Sequence, residues 1–249
     1  MRAKGGAGRS VTEQARRAQI VAATIGTIAE LGYRRTSYAE IARRAGLSST
    51  GMISYHFAGK AELMSEVLAE VHAGIGAFMA ERVGAQPGPP EQLRAYLEGM
   101  VEYLDRHRAP MRALLEIFLN APAETTGTAA ETTDTAAETT DTAAETTGGD
   151  AGTTTPGGTA GTGEGGATGP GDRSSADADR RALGALEGIL AEGQRRGDFR
   201  DFDVQIMAMT IQRSLDMLPF ALAADPDLDL ARCARELTTL FDLGTRREP

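Results

Sequence analysis

The sequence predicts an all-α protein. Apolar residues recur at three- and four-residue spacing along most of the chain, and no stretch shows the two-residue alternation of a strand. Glycine and proline fall between these periodic segments, where helices would stop and start.

Taken in order, residues 1–11 are basic and begin Gly-rich, and read as a solvated tail rather than an arm reaching into a minor groove. A helix is predicted from Thr12 to Leu31, with Ser10 and Glu13 as its capping pair and Ile20, Ala23, Thr24, Thr27, Ile28 and Leu31 on one face. Gly32 ends it. A long helix is predicted from Lys60 to Val83, then a Gly/Pro loop at 84–90, then helices Glu91–Arg106 and Met111–Asn120. Three more follow near the end: Asp179–Arg196, a methionine-rich Asp203–Phe220, and a last one begun by Asp225 as cap and Pro226 at its first position.

Residues 37–57 carry the most information. Ser37 and Glu40 fit a capping box, so a helix begins at Tyr38, with Ile41, Ala42 and Ala45 on its inner face. Gly46 suits the left-handed conformation of a helix end, Leu47 plugs the corner, and Ser48 or Ser49 caps a second helix. Met52, Ile53 and Phe57 supply that helix's apolar side, leaving hydroxyls and ring edges outside. Two short helices around a glycine turn make a helix-turn-helix, whose second helix reads base edges in the major groove. Such pairs also occur in proteins where they only pack, so charge must decide between the readings.

The chain is acidic, at −9. Its charge is divided, however: residues 1–60 hold ten Lys/Arg against Glu13, Glu30 and Glu40, a net of +7, while the remaining 189 residues carry −16. A basic end on an acidic chain is the footprint of a nucleic-acid-binding head joined to a separate control domain. Cys233 is the single cysteine, so an intramolecular disulfide is excluded and a reducing cytoplasm is the expected compartment. His56, His72 and His107 make no ligand pattern with it, so neither a metal site nor a cofactor is expected. No apolar run approaches the ~18 residues of a membrane span.

Residues 123–147 repeat every seven positions without a large apolar side chain, and so have no seam to bury. From 121 to 172 there are nine acidic residues and no basic, aromatic or large aliphatic one. The segment 121–175 is therefore expected to be a disordered acidic insert, as burial cannot offset its ordering entropy. Its preferred reading is a spacer, the sharper one a flap that mimics DNA and competes for the basic head.

From Thr12 to Leu68 the residues resemble the TetR family of transcriptional regulators. The likeness runs through Glu30-Leu31-Gly32-Tyr33, Thr36, Ile41-Ala42, Ala45-Gly46-Leu47-Ser48, Ile53-Ser54-Tyr55-His56-Phe57 and Lys60-Ala61-Glu62-Leu63. The resemblance implies a helix-turn-helix head at 12–59 (motif 37–56) and a helical regulatory and dimerisation domain at 60–249. It further implies a homodimer binding a near-palindromic operator on double-stranded DNA, most simply as a repressor released by a small, mostly apolar molecule. Carried over by position, Thr36, Tyr38, Ser48, Ser49, Thr50, Ser54, Tyr55, His56 and Lys60 would touch DNA, with Thr50 and Ser54 at base edges. Between Gly46 and Phe57 the sequence holds one residue more than the commonest family spacing. The extra residue either lengthens the turn or rotates the recognition helix by about 100°.

A pocket is expected among the central helices, with Val71, Phe78, Tyr96, Met100, Tyr103, Met111, Leu115, Phe118 and Ile189 as candidate lining. The dimer face is expected on the last two helices, through Ile206, Met209, Leu230, Leu237 and Phe241. No nucleophile–base pair or phosphate-cradling loop stands out, so an enzyme is not expected. The remaining rival is a helical interaction or ligand-binding protein whose DNA head is degenerate.

Overall fold

The computed structural model describes residues 11–120 and 170–247. The tail expected at 1–11, all but Val11, and the insert expected from 121, as far as residue 169, lie outside the described residues. Ten helices make up the described chain, with no strand among its residues: α1 (Val11–Leu31), α2 (Tyr38–Arg44), α3 (Gly51–His56), α4 (Lys60–Gly84), α5 (Pro89–Arg106), α6 (Arg108–Asn120), α7 (Pro170–Arg196), α8 (Val204–Asp216), α9 (Leu218–Ala224) and α10 (Leu230–Thr245).

Two apolar cores form. The head core gathers Ile20 and Ile28 of α1, Ile41 of α2, Ile53 and Phe57 around α3, and Leu63 and Val67 of α4. Thr24 and Thr27 sit buried among them because each hydroxyl donates to the carbonyl four residues back. Ala113 and Ile117 of α6 also belong to this core, so α6 docks on α1. The body core joins Met79 of α4 to Leu93, Tyr96, Leu97 and Leu104 of α5, Leu186 and Leu190 of α7, and Ile211 and Leu215 of α8. α4 thus runs from one core into the other. It is also long and apolar enough to meet the length and composition of a membrane span, at a mean hydropathy of 1.2, which the sequence reading did not expect. In the fold its buried residues, Leu63, Met64, Val67, Leu68, Val71 and Met79, pack within the protein.

Several expected boundaries shift, each for a local reason. The predicted helix 203–220 breaks at Met217, because Pro219 in the first turn of α9 cannot continue the hydrogen-bond ladder of α8. Asp225-Pro226 does not start the last helix. Asp225 instead folds into a turn, its carboxylate accepting the Asp227 N–H at 3.1 Å, and Asp229 caps α10 by accepting the Arg232 N–H at 2.8 Å. α7 begins at Pro170, nine residues before the expected Asp179 and inside the span assigned to the insert. Its early turns lack an apolar stripe but carry a helix-spaced pair, Arg180–Asp177 at 3.0 Å. α5 and α6 likewise start earlier than expected, with prolines tolerated in their first turns.

The end of α7 is shaped by Gly193, whose Cβ, if present, would lie 2.1 Å from Cδ2 of the buried Phe199 ring. Between α5 and α8, the Tyr96 hydroxyl donates to Gln212 Oε1 at 2.9 Å, and Gln212 Nε2 donates to Asp216 at 2.8 Å. Burial, and then the nearby Asp216 charge, push the Tyr96 phenol well above its ordinary pKa. Replacing Tyr96 with Phe would leave the buried Gln212 oxygen without its donor, at a cost of about 1–3 kcal/mol. The thermal midpoint is expected to fall by roughly 2–4 °C per kcal/mol lost, as read in a melting experiment.

Candidate functional site

α2 and α3 form the predicted helix-turn-helix. Ser37 caps α2, its Oγ accepting the Glu40 N–H at 3.3 Å, and Gly46 takes a φ of +64° just past the helix end. The Glu40 carboxylate does not turn back to the cap. It receives Arg43, at 3.0 Å from Nε and 2.7 Å from Nη2. Leu47 packs against the head core as the corner residue. The expected cap by Ser48 or Ser49 is absent: α3 begins at Gly51, and its N-cap, Thr50, has helical backbone angles and no side-chain cap bond.

α3 has two sides. Ile53 and the following Phe57 are buried, whereas Thr50, Gly51, Ser54 and Tyr55 are exposed at one-turn spacing, Tyr55 by 78%. Ser48 and Ser49 extend this exposed polar strip into the turn. Tyr38 and His56 are half-buried: Tyr38 packs against the head core, and His56 stands edge-on to Tyr55 with ring centroids 5.0 Å apart. Burial, with the Glu62 carboxylate second, raises the Tyr38 phenol above its usual pKa. Lys60 places its ammonium 4.2 Å from the centre of the Tyr33 ring, at the corner between α1 and α2.

Thr36 departs from the set. Its side chain is buried and its hydroxyl donates to the Gly32 carbonyl at 2.8 Å, so it caps the end of α1 and does not share the exposed strip. Conversely, four arginines of the head are not among the predicted contacts. Arg34, Arg35, Arg43 and Arg44 are all exposed, with Arg43 paired to Glu40 and Arg44 to Glu30. Their charge was visible in the sequence, but not their position.

The expected pocket residues fall into packed apolar surroundings. Tyr96, Tyr103, Met111 and Ile189 belong to the body core, and Phe78 and Met100 lie against it. Val71 and Leu115 are also buried. Tyr103 stacks on His107 at 4.2 Å and meets Phe78 edge-on at 5.4 Å, while burial, then Glu70, raises its phenol pKa. Phe118 does not join them. It is 66% exposed, on the outer side of α6, facing Phe220 at 6.2 Å. An open groove of about 760 Å³ between α4 and α5 shares only Phe78 with the expected lining, and its walls include Glu81, Arg82, Arg94 and Glu98.

The expected dimer residues divide similarly. Ile206 and Met209 are exposed, but Leu230 and Phe241 are buried in the body core, and Leu237 is partly buried against it. They hold α10 to its own chain. Met217, Leu240 and Leu243 are exposed instead, so the exposed large apolar side chains of the last helices are Ile206, Met209, Met217, Leu240 and Leu243.

With this geometry in place, known proteins supply the comparison. The pattern of the bacterial regulatory proteins of the tetR family matches residues 20–67, which span α1 from Ile20, both helices of the motif and the start of α4. The regulator BetI of Cronobacter sakazakii is 32% identical over 108 residues, 43% of this chain and 53% of that protein. BetI of Stenotrophomonas maltophilia is 34% identical over 107 residues, again 53% of its length. The chain thus spans about half the length of the curated relatives it matches. A TetR transcription regulator from Haloarcula marismortui has the same fold, at a TM-score of 0.69 and 15% identity, over 94% of this chain and all of that one. A transcriptional regulator of Saccharomonospora viridis, solved in complex with choline, superposes equally well at 16% identity over the same shares. The helix-turn-helix head of this chain, over residues 20–67, is that of the TetR family of bacterial regulatory proteins.

Proposed function

We propose that the protein is a transcriptional repressor that binds a near-palindromic operator as a homodimer and releases it when a small, mostly apolar molecule enters the body. The exposed strip of Ser48, Ser49, Thr50, Ser54 and Tyr55 carries this reading. It runs from the turn onto the second helix of a helix-turn-helix, within the segment that holds a net +7. Lys60 and the neighbouring arginines would contact phosphates and set the register, while Thr50 and Ser54 would reach base edges. Pairs such as Arg43–Glu40 are solvent-exposed and weak, so their cations can exchange a carboxylate for a phosphate at little cost.

The homodimer reading rests on the apolar face of α8 and α10. Ile206 and Met209 on α8, Met217 at the α8–α9 junction, and Leu240 and Leu243 on α10 lie exposed, and pairing them with a second copy would remove them from water. Two heads so joined would meet half-sites about one helical turn of DNA, or a multiple of it, apart. The ligand site would lie where α4, α5, α6 and α7 meet, with the aromatic rings of Phe78, Tyr103 and His107 on one side. A ligand would enter this packed region by displacing the half-buried Phe78 and Met100. Tyr96 would be the polar group within reach. Related folds take small molecules: one neighbour was solved with choline, another, SmeT, with triclosan. A DNA regulator of this kind works in the cytoplasm.

Binding of the full chain to its own upstream DNA and to random DNA across a salt series tests the reading. Selective binding that weakens about a thousandfold between 50 and 200 mM salt is expected for a dimer neutralising six or more phosphates. Weak binding to every sequence even at low salt would instead identify a degenerate head. Thr50→Ala and Ser54→Ala are each expected to lower operator affinity about fivefold, equivalent to about 1 kcal/mol for a lost hydrogen bond. Neither should change affinity for random DNA. Replacing Met209 and Leu240 together with Glu is expected to convert a dimeric mass to a monomeric one in sedimentation, with operator affinity lost alongside.

A further inference from the structure

The recognition helix α3 is poorly equipped to hold its own orientation. It has six residues, too few for a helix to stand alone, and its N-cap makes no side-chain bond. Its buried apolar anchors are Ile53 at mid-helix and Phe57 just past its C-terminal end. Arg17, from the first half of α1, also contacts the C-terminal end of the helix.

Arg17 is a buried cation, 7% exposed. Nη1 donates to the carbonyl of His56, the last residue of α3. Nη2 donates to Glu66 Oε1 at 2.8 Å and to Glu62 Oε1 at 3.2 Å, both on α4. The guanidinium carbon lies 4.1 Å from the centre of the Phe57 ring. Glu62 completes the junction: its second oxygen accepts the Ala58 N–H at 2.7 Å, in the link between α3 and α4. A carbonyl at a helix C-terminus has no intrahelical donor and carries partial negative charge, so a guanidinium there satisfies the bond and the dipole together. The planar fork reaches α3 and α4 at once, which the single ammonium of a lysine cannot do in the same geometry.

We propose that Arg17 is a positioning residue for DNA binding: it clamps the C-terminal end of the recognition helix to Glu62 and Glu66, so the angle of α3 is set by α4. The inference rests on the DNA-binding reading above and assigns Arg17 no contact with DNA. α4 continues into the body core through Met79, so any change there that moves α4 reaches α3 through this clamp as well as through apolar packing.

Arg17→Met, Arg17→Lys and Glu66→Gln, each made in the full-length chain, test the clamp by two readouts. Operator affinity is measured across a salt series, and amide hydrogen exchange is followed in residues 51–58 and in the body segment 93–104. Arg17→Met is expected to weaken operator binding at least tenfold with the salt slope unchanged, because a buried residue releases no counterion. Exchange in 51–58 should accelerate tenfold or more while 93–104 stays as in the parent. Arg17→Lys and Glu66→Gln should fall between the parent and Arg17→Met on both readouts. Affinity within twofold of the parent would overturn the proposal, as would a salt slope reduced by about one per lost contact, the mark of a phosphate ligand. Exchange rising equally in both segments would also overturn it, since Arg17 would then act on overall stability. Should Arg17→Met fail to fold, Glu66→Gln decides by the same criteria. If the parent chain itself does not bind DNA, the functional reading falls, and the exchange comparison alone still decides whether Arg17 holds α3.

Discussion

Both apolar cores are built on one helix. α4 places Leu63 and Val67 against α1, α2 and α3, and Met79 against α5 and α7, so neither core can rearrange without reference to the other. Close-packed interiors have discrete arrangements rather than a continuous range. A shift of α4 in the body is therefore felt in the head as a change of position. α6 adds a second tie of the same kind. Ala113 and Ile117 sit in the head core, and the Glu116 carboxylate accepts the Tyr33 N–H at 2.9 Å, at the corner after Gly32. Asn120 receives Arg34 from the same corner at 3.2 Å.

Around this frame, polar chemistry is distributed by consequence. Some buried groups have fixed partners, as in the chain from Tyr96 through Gln212 to Asp216, or the clamp on Arg17. Many exposed charges pair within one helical turn, such as Arg43 with Glu40 or Arg108 with Asp105. The first kind is costly to break and holds helices in place. The second contributes little to stability and leaves the cations of the head available to a polyanion.

Much of the head was legible in the sequence because its signals are local. The Ser37 cap, the left-handed Gly46, the inward Ile41 and Ile53 and the corner Leu47 each follow from residue type and spacing within a few positions. The misplaced residues depend on something further away. Thr36 looked like a surface hydroxyl, but its donor turns back to Gly32 once the α1–α2 corner closes. Leu230 and Phe241 looked like dimer residues because α10 is apolar on more than one side. α5 packs against one side and leaves Leu240 and Leu243 on the other. Arg17 was counted only as charge, since its partners lie 39 to 49 residues away.

By itself the sequence determined the all-α class, the helix-turn-helix and its exposed hydroxyls, and the segregation of positive charge at one end. Each is a property of a single helix, a single turn or a sum over residues. The tertiary structure decided which apolar faces are consumed within the chain, which hydroxyls are committed inward, and that α3 is held through a cation on α1 by carboxylates on α4. Those outcomes depend on which helices meet, and helical periodicity records that a face is buried without recording what buries it.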